Sequence, residues 1–92
     1  MSITIRFFAR FRELLGTSIV VDNREGTTLV DLVRDAVSEN KEGFDAIFDD
    51  QGKLRDYVVL MRNGRRVDVG KASTVNVSND DEIAVFPPVA GG

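Results

Sequence analysis

The last residues of the chain are those whose types could do chemistry. The sequence closes on Phe86-Pro87-Pro88-Val89-Ala90-Gly91-Gly92. Glycine lacks a Cβ, so Gly91 and Gly92 can enter a slot too narrow for any other residue. The prolines fix φ and hold the approach extended, and residues 87–92 would reach about 19 Å beyond the body at roughly 3.1 Å each. We therefore expect the α-carboxylate of Gly92 to be the reactive group, delivered into another protein's active site. The alternative is an ordinary frayed terminus.

The residue types missing from the chain exclude several kinds of site. The sequence has no His, Cys or Trp. A Ser-His or Cys-His nucleophile is therefore excluded, and neither a zinc site nor a disulfide framework is expected. The acidic groups Asp49-Asp50 and Asp80-Asp81-Glu82 lack the spacing of a calcium loop, so we expect polar turns there and no metal site. We expect no bound cofactor.

Composition is typical of one small globular domain. The chain has 92 residues, of which 42% are hydrophobic and 29% charged. It shows neither an apolar run long enough for a bilayer nor a signal peptide, which favours a cytoplasmic protein without a membrane partner. With a net charge of −3 and no block of basic residues, nucleic acid is not an expected partner.

The amino-terminal part reads as two strands. Ile3, Ile5 and Phe7 alternate with Thr4, Arg6 and Phe8, which predicts a strand with one buried face. Residues 17–22 are rich in β-branched side chains and predict a second strand. The connection over residues 9–15 is short and turn-like or one helical turn, so the two strands should be antiparallel neighbours.

A helix follows, and it is the clearest element in the sequence. Thr28 and Asp31 have the spacing of an amino-terminal capping box, with Asp in place of the usual Glu. The next apolar residues recur at helical spacing, which predicts one buried stripe and a helix that ends near Asn40. The stripe comprises Leu29, Leu32, Val33, Ala36 and Val37.

The carboxyl-terminal half predicts three more strands. Residues 41–50 suggest a short second helix or irregular cover, in which Phe44 and Phe48 belong to the core. Residues 57–61 read as a strand, Asn63-Gly64 as a hairpin turn and residues 65–67 as its return strand. A polar connector over residues 70–81 leads to the last strand, residues 83–86.

This order of elements predicts an α+β fold. One helix stripe must cover one face of a mixed sheet of four to five strands. The first and last strands could pair in parallel at the sheet centre, which is the β-grasp arrangement of ubiquitin-like proteins. We therefore divide the chain into a β-grasp domain over residues 1–86 and a flexible, extended tail over residues 87–92.

The alternation along the first and last strands predicts that two aromatic rings lie together. Phe8 and Phe86 would lie side by side on the face away from the helix, where exposed rings form an apolar patch for a partner. Arg6 and Arg12 could flank this patch and meet carboxylates of the partner. The alternatives are that a loop covers the rings, that the phase is reversed, and that both arginines are simply solvated.

Two segments carry a resemblance to a known family. Residues 7–16, Phe7-Phe8-Ala9-Arg10-Phe11-Arg12-Glu13-Leu14-Leu15-Gly16, resemble the opening of the MoaD proteins, the small subunits of molybdopterin synthase. Residues 80–92, from Asp80-Asp81-Glu82 through Phe86-Pro87-Pro88 to Gly92, closely resemble their ending. The resemblance covers essentially the whole chain. Residues 60–64 also resemble the archaeal ubiquitin-like small modifiers. The related ThiS proteins share the Gly-Gly ending but usually lack Phe-Pro-Pro, so we rank the resemblance to them below that to MoaD.

The resemblance implies a sulfur carrier that is not an enzyme on its own. In such families a ubiquitin-activating-type, MoaB/ThiF-like enzyme uses ATP to adenylate the terminal carboxylate, here that of Gly92. Sulfur then replaces AMP and leaves a thiocarboxylate. The tail, with Pro87, Pro88, Val89 and Ala90, inserts into a larger MoaE-like subunit that passes the sulfur to a pterin precursor.

Two other functions remain open from the sequence. The chain could be a protein modifier that joins Gly92 to lysines of target proteins, with Lys41, Lys53 and Lys71 as acceptors for further copies, and such a protein could also serve tRNA thiolation. The third possibility is a β-grasp interaction domain with an inert tail.

Overall fold

The computed structural model describes residues 2–22, 24 and 26–87. Its strands are β1 Ser2–Phe7, β2 Ser18–Asp22, β3 Val59–Arg62, β4 Arg65–Val67 and β5 Glu82–Phe86. Its α-helices are α1 Ala9–Leu15, α2 Leu29–Val37 and α3 Lys41–Ile47, and a 3₁₀ helix covers Val69–Thr74.

The strands form one mixed sheet with the first and last strands at its centre. The order is β2-β1-β5-β3-β4. β1 and β5 are parallel, with Ile5 opposite Ile83, while the other pairs are antiparallel. The predicted central parallel pair is confirmed, and the architecture is the predicted β-grasp fold.

The core lies between the sheet and α2. Ile3, Ile5 and Phe7 of β1 are buried, as are Ile83 and Val85 of β5. Four residues of the predicted helix stripe are buried with them, and the fifth, Ala36, is half-buried against the same cluster. Burial of each large aliphatic side chain contributes roughly 1.5–3 kcal/mol, so this shared face stabilises the fold.

The amino terminus of α2 is capped by one half of the predicted capping box. The hydroxyl of Thr28 accepts a hydrogen bond from the Asp31 backbone N–H at 3.2 Å. The Asp31 carboxylate instead accepts from Arg34 at 3.2 Å. The helix ends at Val37, three residues before the predicted end near Asn40. Asn40 instead caps α3, where its side-chain oxygen accepts from the Gly43 N–H at 2.9 Å.

Besides the end of α2, three stretches differ from their predicted structure by more than one residue or in type. α1 has seven residues and buries Phe11, so it is longer than one turn. β3 begins at Val59 rather than residue 57, and the Tyr57 hydroxyl donates to the Ala46 carbonyl at 3.1 Å. The connector before β5 contains the 3₁₀ helix, whose Ala72 is fully buried. Burial of Phe11 and Ala72 favours the first and third conformations, which local propensity does not specify.

Candidate functional site at the end of the central strands

Two aromatic rings stack where β1 and β5 end. The ring centroids of Phe8 and Phe86 are 4.3 Å apart, with 9° between the ring planes. The Phe8 N–H donates to the Val85 carbonyl at 3.3 Å, which extends the parallel pairing to this point. The predicted juxtaposition is confirmed, although both rings are half-buried rather than exposed.

Neighbouring strands extend this apolar surface on the outer face of the sheet. Val59 lies opposite Phe86, and Met61 lies opposite Ala84. Side chains directly opposite in an antiparallel pair share a face, and residues two apart along a strand share it too. Phe8, Phe86, Val59 and Met61 therefore form one half-buried surface, which we call the outer aromatic patch.

The two candidate arginines lie on different elements. Arg6 precedes Phe8 by two residues on β1 and pairs with Glu82 at 3.8 Å, and their side chains are 54% and 60% exposed. Such an exposed ion pair contributes little to stability, so Arg6 can exchange Glu82 for another carboxylate at small cost. Arg12 lies on α1, where its backbone N–H donates to the Phe8 carbonyl at 3.4 Å. Its side chain is exposed and forms no ion pair with a residue in the described ranges.

The predicted tail would begin directly after this patch. Pro87 is half-buried and follows the last residue of β5. Because β5 is a central strand, the chain leaves the sheet between β1 and β3, next to the stacked rings. The other predicted tail and site residues lie outside the described residues: Pro88, Val89, Ala90, Gly91 and Gly92.

A buried carboxylate at the opposite end of β5 fixes that strand to the β3–β4 hairpin. The Asp81 side chain is 7% exposed. It accepts hydrogen bonds at 2.8 Å from Arg62 Nε, Asn63 Nδ2 and the Ser78 N–H. We predicted only a polar turn at Asp80-Asp81-Glu82. The structure shows in addition that the Asp81 carboxylate is buried and accepts three hydrogen bonds.

Asn63 completes this polar cluster. It adopts a φ of 52° in the hairpin turn, a conformation that asparagine tolerates better than most residues. Its backbone N–H donates to the Glu82 carbonyl at 2.8 Å, and its side-chain oxygen accepts from the Glu82 N–H at 2.9 Å. The hairpin thus continues the hydrogen bonding of β5 beyond the β3–β5 ladder.

Hydrogen bonding lowers the pKa of the Asp81 carboxyl group. Burial alone would raise the pKa of its carboxyl group. The hydrogen bonds from Ser78, Asn63 and Arg62, together with the charge of Arg62, outweigh burial and hold the pKa below its ordinary value. Asp81 therefore remains ionised at neutral pH and supports the start of β5.

Sequence reasoning missed this cluster because its members are far apart along the chain. Arg62 and Asn63 lie 19 and 18 residues before Asp81. The Asn63-Gly64 turn signal indicated a hairpin, but no local pattern pairs that hairpin with an acidic residue before β5.

The other acidic group is a turn, as expected. The Asp49 carboxylate accepts from the backbone N–H groups of Gln51 at 2.9 Å and Lys53 at 3.0 Å. These bonds lower the pKa of Asp49, and the bond from Lys53 has the larger effect.

The described ranges hold no cluster of three or more His, Cys, Asp or Glu side chains that could bind a metal ion. Within the same ranges, no helix has the length and apolar character needed to cross a bilayer.

Comparison with known proteins assigns the family. A sequence model described as the ThiS family matches residues 5–92. The chain belongs to the ThiS family. Its relative small archaeal modifier protein 3 of Haloferax volcanii is 33% identical over 93 aligned residues, which cover 100% of both chains.

Solved structures of similar proteins support the same family. SAMP1 of Haloferax volcanii has a TM-score of 0.85 and 30% identity, with 100% of both chains covered. A Pyrococcus furiosus protein provisionally named molybdopterin converting factor subunit 1 has a TM-score of 0.73 and 25% identity, covering 97% of this chain and 99% of that one. This ThiS-family protein is therefore of the MoaD/ThiS ubiquitin-like type, a class of small sulfur carriers and protein modifiers.

Proposed function

We propose that the protein is a sulfur carrier whose working group is the carboxylate of Gly92. The observation that carries the proposal is the family match, which extends through Gly91 and Gly92. The alignment with a small archaeal modifier protein covers the whole of both chains and therefore includes Gly91 and Gly92. The described domain suits this role, because its central strand β5 ends beside an apolar patch, directly before the predicted tail.

The chemistry needs no side chain from the carrier. A carboxylate oxygen of Gly92 attacks the α-phosphate of ATP on an adenylating enzyme, which forms an acyl-adenylate and releases pyrophosphate. A hydrosulfide equivalent from a sulfur donor then adds to the carbonyl carbon and displaces AMP, leaving a thiocarboxylate. The absence of His and Cys from the sequence is compatible with this scheme, since both activation and transfer use groups of the partner enzymes.

We further propose that the sulfur serves molybdenum cofactor synthesis. In that case the chain is the small, non-catalytic subunit of molybdopterin synthase, and its tail enters a larger MoaE-like subunit. The similarity to the Pyrococcus furiosus protein favours this acceptor. The outer aromatic patch would dock that subunit, with Arg6 and Arg12 facing its carboxylates.

The second candidate function is protein modification. The full-length similarity to small archaeal modifier protein 3 favours it. Here the activated carbonyl of Gly92 is attacked by a lysine amine of a target protein, which forms an isopeptide bond and releases the activating group. One activated terminus could serve both functions, including a thiolation role toward tRNA.

Mass spectrometry of protein from its native host separates these functions. The carrier predicts an intact mass in which one oxygen is exchanged for one sulfur. The modifier predicts branched tryptic peptides on target lysines. Because Lys71 is the last basic residue, the branch would contain residues 72–92. If neither species forms in the presence of the host's adenylating enzyme and ATP, an inert tail is supported instead.

A matched pair of variants tests the role of the terminus itself. Removal of Gly92 is expected to abolish both thiocarboxylate formation and conjugation. A chain with residues appended after Gly92 should be equally inactive until a protease trims it. Full activity of the untrimmed, extended chain would contradict the proposal.

A further inference from the structure

The two edges of the sheet differ in how well they are protected. β4 has only three residues, and two of them are Arg65 and Arg66. Short, charged edge strands resist pairing with other chains. β2 has five residues, Ser18-Ile19-Val20-Val21-Asp22, without lysine or proline, and among the described residues it pairs with β1 alone. With Asp22 as its one charged residue, β2 is thus less protected than β4, as far as the described part of the chain shows.

Alternate backbone groups of β2 point toward this open edge. The Phe7 N–H donates to the Thr17 carbonyl at 3.0 Å, in the register that places Ile5 opposite Ile19. In an antiparallel pair, hydrogen-bonded and non-hydrogen-bonded residue pairs alternate. Ile19 and Val21 thus bond to β1, while the N–H and C=O groups of Ser18, Val20 and Asp22 face outward.

The side chains of β2 also suit an added strand. Ile19 and Val21 pack against the core. Val20 is 64% exposed on the outer face, although it is a large aliphatic residue in the middle of the strand. A neighbouring strand would cover Val20 and form cross-strand pairs with it, which stabilises a sheet.

The charges beside β2 favour a basic partner. A groove of about 470 Å³ lies between β2 and the carboxyl-terminal half of α2. Three carboxylates, those of Asp22, Asp35 and Glu39, and one guanidinium, that of Arg24, line this groove. None of the three carboxylates forms an ion pair with a described residue. A second copy of the chain would bring the same carboxylates together, whereas lysines or arginines of a different chain would be attracted.

We propose that the β2 edge binds an extended segment of a partner protein as a sixth strand of the sheet. The segment has alternating aliphatic residues that cover Val20 and basic residues that meet the acidic groove, a mode of recognition that adds a strand to an exposed edge. Val20 lies opposite Thr4, four residues before Phe8, or about 13 Å away along β1. Both surfaces can therefore be occupied at once, and this site is additional to the proposed carrier function.

An NMR titration of the full chain tests this site. The probe is a synthetic peptide of alternating valine and threonine with two lysines at each end. We expect the largest amide shifts in β2, and hydrogen exchange at the amides of Ser18, Val20 and Asp22 should slow by roughly tenfold or more at saturation. The same peptide flanked by glutamates should bind at least about tenfold more weakly. Equal binding of the two peptides would refute the role of the acidic groove.

Removing backbone N–H donors, first from β2 and then from the peptide, tests strand addition directly. The Val20→Pro variant loses an outward N–H but no hydrogen bond to β1, so we expect the sheet to persist and peptide binding to be lost. The matched Val20→Ile variant keeps both the donor and an apolar β-branched side chain, and should bind within about threefold of the unmodified chain. A peptide with alternate N-methylated amides makes the same test without changing the protein, and should not bind.

Three results would overturn the proposal. The N-methylated peptide could bind as tightly as the unmethylated lysine-flanked peptide. Alternatively, the lysine-flanked peptide could shift the amide resonances of Phe8 and Phe86 instead of those of β2. The free chain could also show concentration-dependent shifts confined to β2, in which case the occupant of this edge is a second copy.

Discussion

Replacement of Asp81 with asparagine tests whether a buried carboxylate anchors β5. Asparagine has nearly the same shape, but it has one acceptor oxygen and no charge. The Asp81 carboxylate accepts from Arg62 and Ser78 on one oxygen and from Asn63 on the other. The new amide group must therefore face at least one of these donors, because Asn63 already uses its own oxygen to accept from Glu82.

The expected loss follows from those contacts. A hydrogen bond to a charged group contributes roughly 1.5–3 kcal/mol. In the variant, the three hydrogen bonds to residue 81 no longer involve a charged acceptor, and at least one of them cannot form. Arg62 is 31% exposed and can partly rehydrate, which reduces the cost. We expect the free energy of unfolding to fall by about 2–4 kcal/mol, and the melting temperature by about 10–25 °C for a domain of this size.

The pH dependence of stability gives a second measurement. Because the pKa of Asp81 is lowered in the folded state, its contribution is complete above the pKa of the unfolded chain. The contribution is lost as the pH falls through the folded pKa. The difference in unfolding free energy between the original chain and Asp81→Asn should therefore be constant at neutral pH and shrink below about pH 4.

Chemical denaturation of both chains and of a matched control decides the outcome. Asp80→Asn makes the same chemical change at the exposed neighbouring residue, whose φ of 68° suits asparagine, and should change stability by less than about 0.5 kcal/mol. If Asp81→Asn costs no more than this control, or if the difference persists unchanged in acid, the anchoring role is refuted.

Three further predictions concern the site and the packing. Phe86→Asp should weaken binding of the proposed MoaE-like partner at least about tenfold, while Tyr57→Asp should not, as measured by calorimetry; equal effects would contradict the patch assignment. Deletion of Gly92 should leave the melting temperature within about 1 °C in calorimetric scans, and a larger change would mean that this residue contributes to the packed domain. Gly43→Ala should destabilise by about 1 kcal/mol in denaturant, because its Cβ would lie 2.7 Å from Leu15 Cγ; a gain in stability would show that Leu15 moves freely.

Periodic segments of the sequence predicted the fold well. Alternation in β1 and the helical stripe of α2 each arise from residues that share one buried face, and such patterns survive in the folded protein. The central pairing of β1 and β5 followed from fitting one helix over one mixed sheet. The start of β3 was less predictable, because Tyr57 and Val58 have strand-like side chains but lie in a turn stabilised by a hydrogen bond from the Val58 N–H to the Arg55 carbonyl at 3.1 Å.

The aromatic patch was predictable only in part. The phases of Phe8 and Phe86 placed both rings on one face, but their 4.3 Å stack and half-buried state depend on how far each strand extends. Val59 and Met61 joined them only through the β3–β5 register, which no local pattern specifies.

The sequence by itself determined the family, the helix stripe and the Gly91-Gly92 ending, because these depend on residue type and on near neighbours along the chain. Only the tertiary structure decided the Asp81 cluster and the unequal edges of the sheet. The first depends on contacts between residues 62–63 and 78–82, and the second on which strand lies outermost. Both are long-range pairings, whose partners are selected by the packing of the whole domain rather than by any local sequence preference.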